Sequence, residues 1–136
     1  MGYESRIFVV DKKDYFLDEE KCWGEIIAMF NMCKYSPVAN FMREQPETDC
    51  YIFADDGNTK ILEDKYDKPL TEASLSDVIA ILEKELENGD TYRRTGPLLG
   101  MLKSLNAEAY KFKNLRLLHY GYWPNFYYNK LYKYEE

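Results

Sequence analysis

One histidine, three cysteines, five prolines and seven glycines are all that 136 residues hold of the types that most often carry metal, redox and turn chemistry. Structural zinc asks for four Cys/His ligands in close pairs, whereas Cys22, Cys33 and Cys50 stand apart in the chain and His119 further still, so no zinc is expected. An odd number of thiols without close pairing suits a reducing compartment, and a cytoplasmic protein is expected. Long apolar runs are also missing. The run Ile7 to Val10 is too brief for a spanning helix or for the hydrophobic part of an export signal, so neither membrane nor secretion is expected. Gly96-Pro-Leu-Leu-Gly100 has no Lys-Ser/Thr after it and no strand before it, which excludes a phosphate-binding loop.

What is present is hydrophobic and aromatic mass, 46% and 16% of the residues, enough for a folded core beneath a charged exterior. Without repeats or low-complexity linkers, a single domain over 1–122 with a Tyr-rich C-terminal extension over 123–136 is expected. Charge is unevenly placed. Glu44 to Asp90 holds fourteen acidic residues against four basic ones, and Thr91 to Glu136 has eight basic against three acidic, within a net charge of -6. Such a distribution speaks to association with cationic partners and to repulsion of nucleic acid, not to a reaction.

Ser5 to Asp11, β-branched and aromatic at its centre, predicts a buried strand inside the sheet. From Asp18, the spacing of Trp23, Ile26/Ile27, Phe30 and Cys33/Lys34 predicts a helix of about four turns ending near Tyr35-Ser36-Pro37. Phe41 to Glu47 reads as irregular. Asp49 to Ala54 predicts a strand, and Asp55-Asp56-Gly57-Asn58 a tight turn that returns Thr59 to Glu63 as an antiparallel partner. A helix capped by Thr71, Ser74 or Ser76 carries Val78/Ile79, Leu82 and Leu86 to a stop at Gly89. Another begins at Pro97, and Asn114 to Tyr122 predicts the last strand. The expected fold is α+β, β-α-β-β-α-α-β, a single layer pair with a mainly antiparallel sheet of about four strands and three helices.

Candidate chemistry is sparse. A thiol nucleophile would need His119 beside Cys22 or Cys33, but both cysteines fall on one apolar face of the expected helix, where buried thiols are ordinary packing. The turn Asp55 to Asn58 is oxygen-rich without the ligand spacing of a calcium loop. Asp49, Glu63 and Lys65 follow the order of a metal-dependent nuclease trio, set in a segment that would repel its polyanionic substrate. Arg93, Arg94, Lys103, Lys111, Lys113 and Arg116 are a density of cations common on any helix surface, so direct nucleic-acid binding is not expected. No cofactor is implied. Thirteen tyrosines are the remaining signal, since tyrosine offers contact area and a polar tip at low entropic cost. The expected partner-binding residues are therefore Asp55, Asp56, Glu63, Asp64 and Asp67, with Tyr127, Tyr128, Tyr132 and Tyr134 of the tail. Those tyrosines serve equally as the cover of an exposed sheet face.

Gly2-Tyr-Glu-Ser-Arg6, Asp49-Cys-Tyr-Ile-Phe-Ala-Asp-Asp-Gly-Asn58, Leu70-Thr-Glu-Ala73, Asp90-Thr-Tyr-Arg-Arg94 and Leu118-His-Tyr-Gly-Tyr122 resemble a group of small proteins of phages and mobile elements of Firmicutes and gut bacteria. The resemblance covers most of the chain up to Tyr122 and brings no catalytic motif. It implies a non-enzymatic accessory protein of the host bacterial cytoplasm. In outline such a protein resembles anti-CRISPR inhibitors, in which a row of carboxylates mimics phosphates and occupies the basic groove of a host defence nuclease. A virion or assembly protein, forming a homo-oligomer through the tyrosine tail, is the alternative.

Overall fold

The structure, a computed structural model, describes residues 4–13, 21–33 and 35–122. Among the described residues six strands form one sheet: β1 (Glu4–Lys12), β2 (Cys22–Cys33), β3 (Cys50–Phe53), β4 (Lys60–Ile61), β5 (Thr71–Ala73) and β6 (Leu115–Tyr122). Their spatial order is β4-β3-β2-β1-β6-β5. Three α-helices accompany them among the described residues: α1 (Ser36–Arg43), α2 (Leu75–Glu87) and α3 (Thr95–Ala107). The α+β class is as expected. The sheet differs, with six strands instead of about four and a mixed pattern, because β2 and β3 run parallel while the other neighbours are antiparallel.

β1 is apolar from Ile7 to Val10 because both of its faces are covered. Ile7 and Val9 pack with Val38, Met42, Val78, Leu82, Leu98 and Leu102 under the helices. Phe8 and Val10 face the other way, into a second core with Cys22, Cys50, Ile52, Leu70, Leu118 and Tyr120. No helix contributes to that second core among the described residues. Instead the sheet curls, and the chain between β4 and β5, which sit at opposite ends of the strand order, crosses from one end to the other and delivers Leu70. The segment before β3 completes the closure: the Thr48 amide donates to the Leu70 carbonyl at 2.9 Å and the Glu72 amide to the Pro46 carbonyl at 3.0 Å.

The expected helix over Asp18 to Lys34 is corrected. Residues 22–33 form β2, and the reason lies in its register against β1. Val9 faces Ala28 while Val10 faces Ile26, and Ser5 faces Cys33 while Arg6 faces Asn31, so Ile27 and Met32 are extra residues on β2. Each bulge resets the two-residue alternation. Ile27, Ala28, Phe30 and Met32 consequently reach one core from positions whose spacing imitates a helix face. Pro37, read as a stop, sits in the first turn of α1, a position its fixed φ suits; the irregular stretch expected from Phe41 is thus partly helix. β5 is a further strand that the sequence reading passed over as the approach to a helix.

Other expectations hold. The Asp55–Asn58 turn joins β3 to β4, with Gly57 at φ 75. Ser74 caps α2 by accepting from the Asp77 amide at 3.1 Å, and Gly89 follows its end at φ 92.

Candidate functional site

At one end of the curl, residues from four separate stretches build a part-buried charge network. Glu72 of β5 accepts from Thr48 Oγ1 at 2.6 Å, from Arg116 Nε of β6 at 2.6 Å and from Lys12 Nζ of β1 at 3.1 Å. Lys12 Nζ also meets Asp49 Oδ1 at 2.6 Å. Burial pushes Glu72 upward, yet its hydrogen bonds from Thr48, Arg116 and Lys12 outweigh it and hold the carboxyl below its ordinary range. The same competition raises Lys12: desolvation opposes its charge and hydrogen bonds to Asp49 and Glu72 more than restore it. A lysine so firmly charged is no nucleophile or base. The open side is a cavity of about 430 Å³ bordered by Lys12, Asp49, Glu72, Asp77 and Arg116.

Directly beneath lie two thiols. Cys22 and Cys50 are register partners in the parallel pair of β2 and β3, with sulfurs 3.1 Å apart, so the reading of three isolated cysteines is corrected. Burial pushes both thiols upward, Cys50 further through its hydrogen bond with Cys22, and both are protonated at neutral pH. Cys22 belongs to the inner core, whereas His119 follows Leu118 on β6 and turns to the helix side, so the thiol and the imidazole stand on opposite faces. For Cys33, expected beside Cys22 on a helix, the side chain lies outside what is described.

His119 lines a second cleft of about 570 Å³ together with Arg43, Gln45, Tyr66, Lys68 and Thr71. Its Nε2 lies 2.8 Å from Ser5 Oγ. Burial, with a smaller push from the Arg43 charge, lowers the imidazole to about 4, so it is neutral at physiological pH. The pair has the composition of a nucleophile and its base, but Ser5 is 0% exposed and no substrate atom can reach it. This is a satisfied core histidine.

The expected acidic surface is only partly built. Asp55, Asp56, Glu63 and Asp67 are exposed, the first two at the β3–β4 turn. Asp56 is committed to that turn: the Thr59 hydroxyl and the amides of Thr59 and Asn58 donate to it and pull it down to about 2. Asp64 is a correction. It is buried, and its carboxylate accepts from the amides of Tyr66, Lys68 and Gly121, latching the crossing chain to the end of β6. Other carboxylates of the acidic stretch have cationic neighbours: Lys12 beside Asp49 and Glu72, Arg116 also beside Glu72, Lys21 beside Glu47 and Lys103 beside Glu83. Asp55, Asp56, Glu63 and Asp67 are thus displayed, whereas Asp64 is not. Of the nuclease trio, Asp49 is grouped with Cys22, Cys50 and Lys12, whereas Glu63 bridges to Pro69 and the Lys65 amide donates to the Gly121 carbonyl. Tyr127, Tyr128, Tyr132 and Tyr134 lie outside the described residues.

One surface was not anticipated. β3 pairs with β2 only through Cys22 and Trp23, so beyond Gly24 the strand has a partner on the β1 side alone among the described residues. At its far end Arg94 Nη1 donates to the Asn31 carbonyl at 2.7 Å and Tyr92 Oη to the Met32 carbonyl at 3.1 Å. Between these ends runs an open edge, Glu25 to Phe30, with Ile26 and Met29 exposed. No spacing in the chain announces it, because an edge is defined by where a neighbour stops. No helix of the described residues is long and apolar enough to cross a membrane. No protein-family model, curated protein or solved structure matches this chain.

Proposed function

We propose that the protein is a non-enzymatic binding protein that takes an extended, cationic segment of another protein onto the open edge of β2. The observation behind this reading is the early end of β3, which leaves Glu25 to Phe30 with one strand neighbour among the described residues. Such an edge presents backbone donors and acceptors at strand spacing, a template for strand addition. Ile26 and Met29, 40% and 47% exposed, add apolar contact. Charge selects the occupant. In the parallel register the exposed Asp55-Asp56 turn follows β3 just past the level of Glu25, where the open stretch begins. In the phage setting that the resemblance implies, the partner is a host protein with a basic groove and the chain acts as its inhibitor.

The test uses the full chain and two extended peptides, one alternating Val with Lys and one alternating Val with Glu. Calorimetry is expected to show binding of the Lys peptide alone, weakening as salt rises and lost in Met29→Lys, whose exposed site leaves folding stability within about 0.5 kcal/mol of the parent. Equal binding of both peptides overturns the charge selection. Binding that survives Met29→Lys, or no binding beside a concentration-dependent dimer, overturns the edge as a site for a foreign segment.

A further inference from the structure

The parallel register places Cys22 opposite Cys50 across β2 and β3, and Asp49 immediately before Cys50 turns its carboxylate to the same point. Cys22 Sγ and Cys50 Sγ are 3.1 Å apart, and Asp49 Oδ1 lies 3.5 Å from the first and 3.9 Å from the second. These atoms all lie within 4.8 Å of one another, the only such group of three His, Cys, Asp or Glu side chains among the described residues. We propose that Cys22, Cys50 and Asp49 form a binding site for a thiophilic divalent cation of the zinc class, which clamps β2 to β3.

Bond lengths of about 2.3 Å to sulfur and about 2.0 Å to oxygen set tetrahedral neighbours roughly 3.5 to 3.8 Å apart. The sulfur–oxygen separations are already close to that range, and the sulfurs reach it by parting about 0.7 Å. Charge closes as well once the cation displaces the two thiol protons to solvent: two thiolates and a carboxylate are balanced by the divalent cation and by Lys12, whose Nζ is 2.6 Å from Asp49 Oδ1. Lys12 retains Glu72 at 3.1 Å when that oxygen turns to the metal. Two sulfur donors select zinc over magnesium or calcium, which take oxygen ligands. The sulfurs are buried within the inner core, while Asp49 is exposed and borders the cavity through which an ion enters. The mechanical benefit is local: β2 and β3 share just two residue pairs, so a metal bond at the first of them fixes the β3–β4 hairpin to the rest of the sheet.

The full chain, reduced and stripped with chelator, is titrated with Co2+ and then Zn2+. One Co2+ per chain is expected, with a charge-transfer band of two thiolates that Zn2+ abolishes. Cys33→Ser is expected to leave the band unchanged, Asp49→Asn to weaken uptake at least about 10-fold, and Cys22→Ser or Cys50→Ser more than about 100-fold. Because a core cysteine change can itself unfold the chain, the thermal midpoint of the parent with and without Zn2+ is the second readout; a rise is expected, and a smaller one in Asp49→Asn, where the altered side chain is exposed. No band and no rise overturns the site. So does a band that persists in Cys22→Ser, or a reduced protein that takes up no metal and closes a Cys22–Cys50 disulfide on exposure to oxygen.

Discussion

His119 and Asp64 illustrate how single polar side chains are built into this interior. Asp64 serves three backbone amides of its own loop and of β6, so its charge organises the crossing chain and is not displayed. His119 ties stability to pH. Unfolded, it titrates near 6.5; folded, burial and Arg43 hold it near 4. Above the first value neither state carries the proton and nothing is lost. Between the two, only the unfolded chain is protonated, so stability falls as pH drops and levels off below the second. The full loss is about 3 kcal/mol. Urea unfolding at neutral pH and near pH 4 is expected to show this decrement in the parent and not in His119→Gln, the difference separating it from the carboxylates that protonate in the same range. His119 was legible in the sequence as a lone strand histidine. Ser5, its partner, was not, since the two meet only through the pairing of β1 with β6.

Among the elements, those governed by local rules match the sequence reading. α2 has a hydroxyl cap, an apolar stripe and a glycine beyond its end, and the β3–β4 turn has the residues its backbone demands. Ser74→Ala removes the acceptor of the Asp77 amide and is expected to cost about 1 kcal/mol, measured as a shift in urea midpoint at unchanged slope. β2 obeys no local rule. Its bulges at Ile27 and Met32 are stabilised by pairing with β1 and by the core beneath, so periodicity alone returned a helix. Pro37 shows a related ambiguity, because the same residue ends one element and favours the first turn of the next.

At the scale of the whole molecule, the decisive feature is the curl that lets one sheet enclose a core on the side without helices. Gly24 on β2 is closely packed between β1 and β3: a Cβ there would lie 3.3 Å from Val10 Cβ and 3.4 Å from both Ile52 Cγ2 and the Tyr51 carbonyl. Gly24→Val is therefore expected to cost about 2 kcal/mol or more, with Gly24→Ala between it and the parent in a thermal melt. The charge network of Lys12, Glu72 and Arg116 with Thr48 and Asp49 belongs to this scale too, since it exists only once β1, β5, β6 and the approach to β3 converge.

The α+β class, the buried first strand, the α2 cap and the hairpin turn were determined by the sequence itself, because each rests on residues within a few positions of one another. The sheet's six-strand order, the pairing of Cys22 with Cys50, the burial of Asp64 and the open edge of β2 were decided by tertiary structure alone. Their physical reason is shared: each depends on which distant strand lies alongside and where it stops, and that is settled by closing two cores at once.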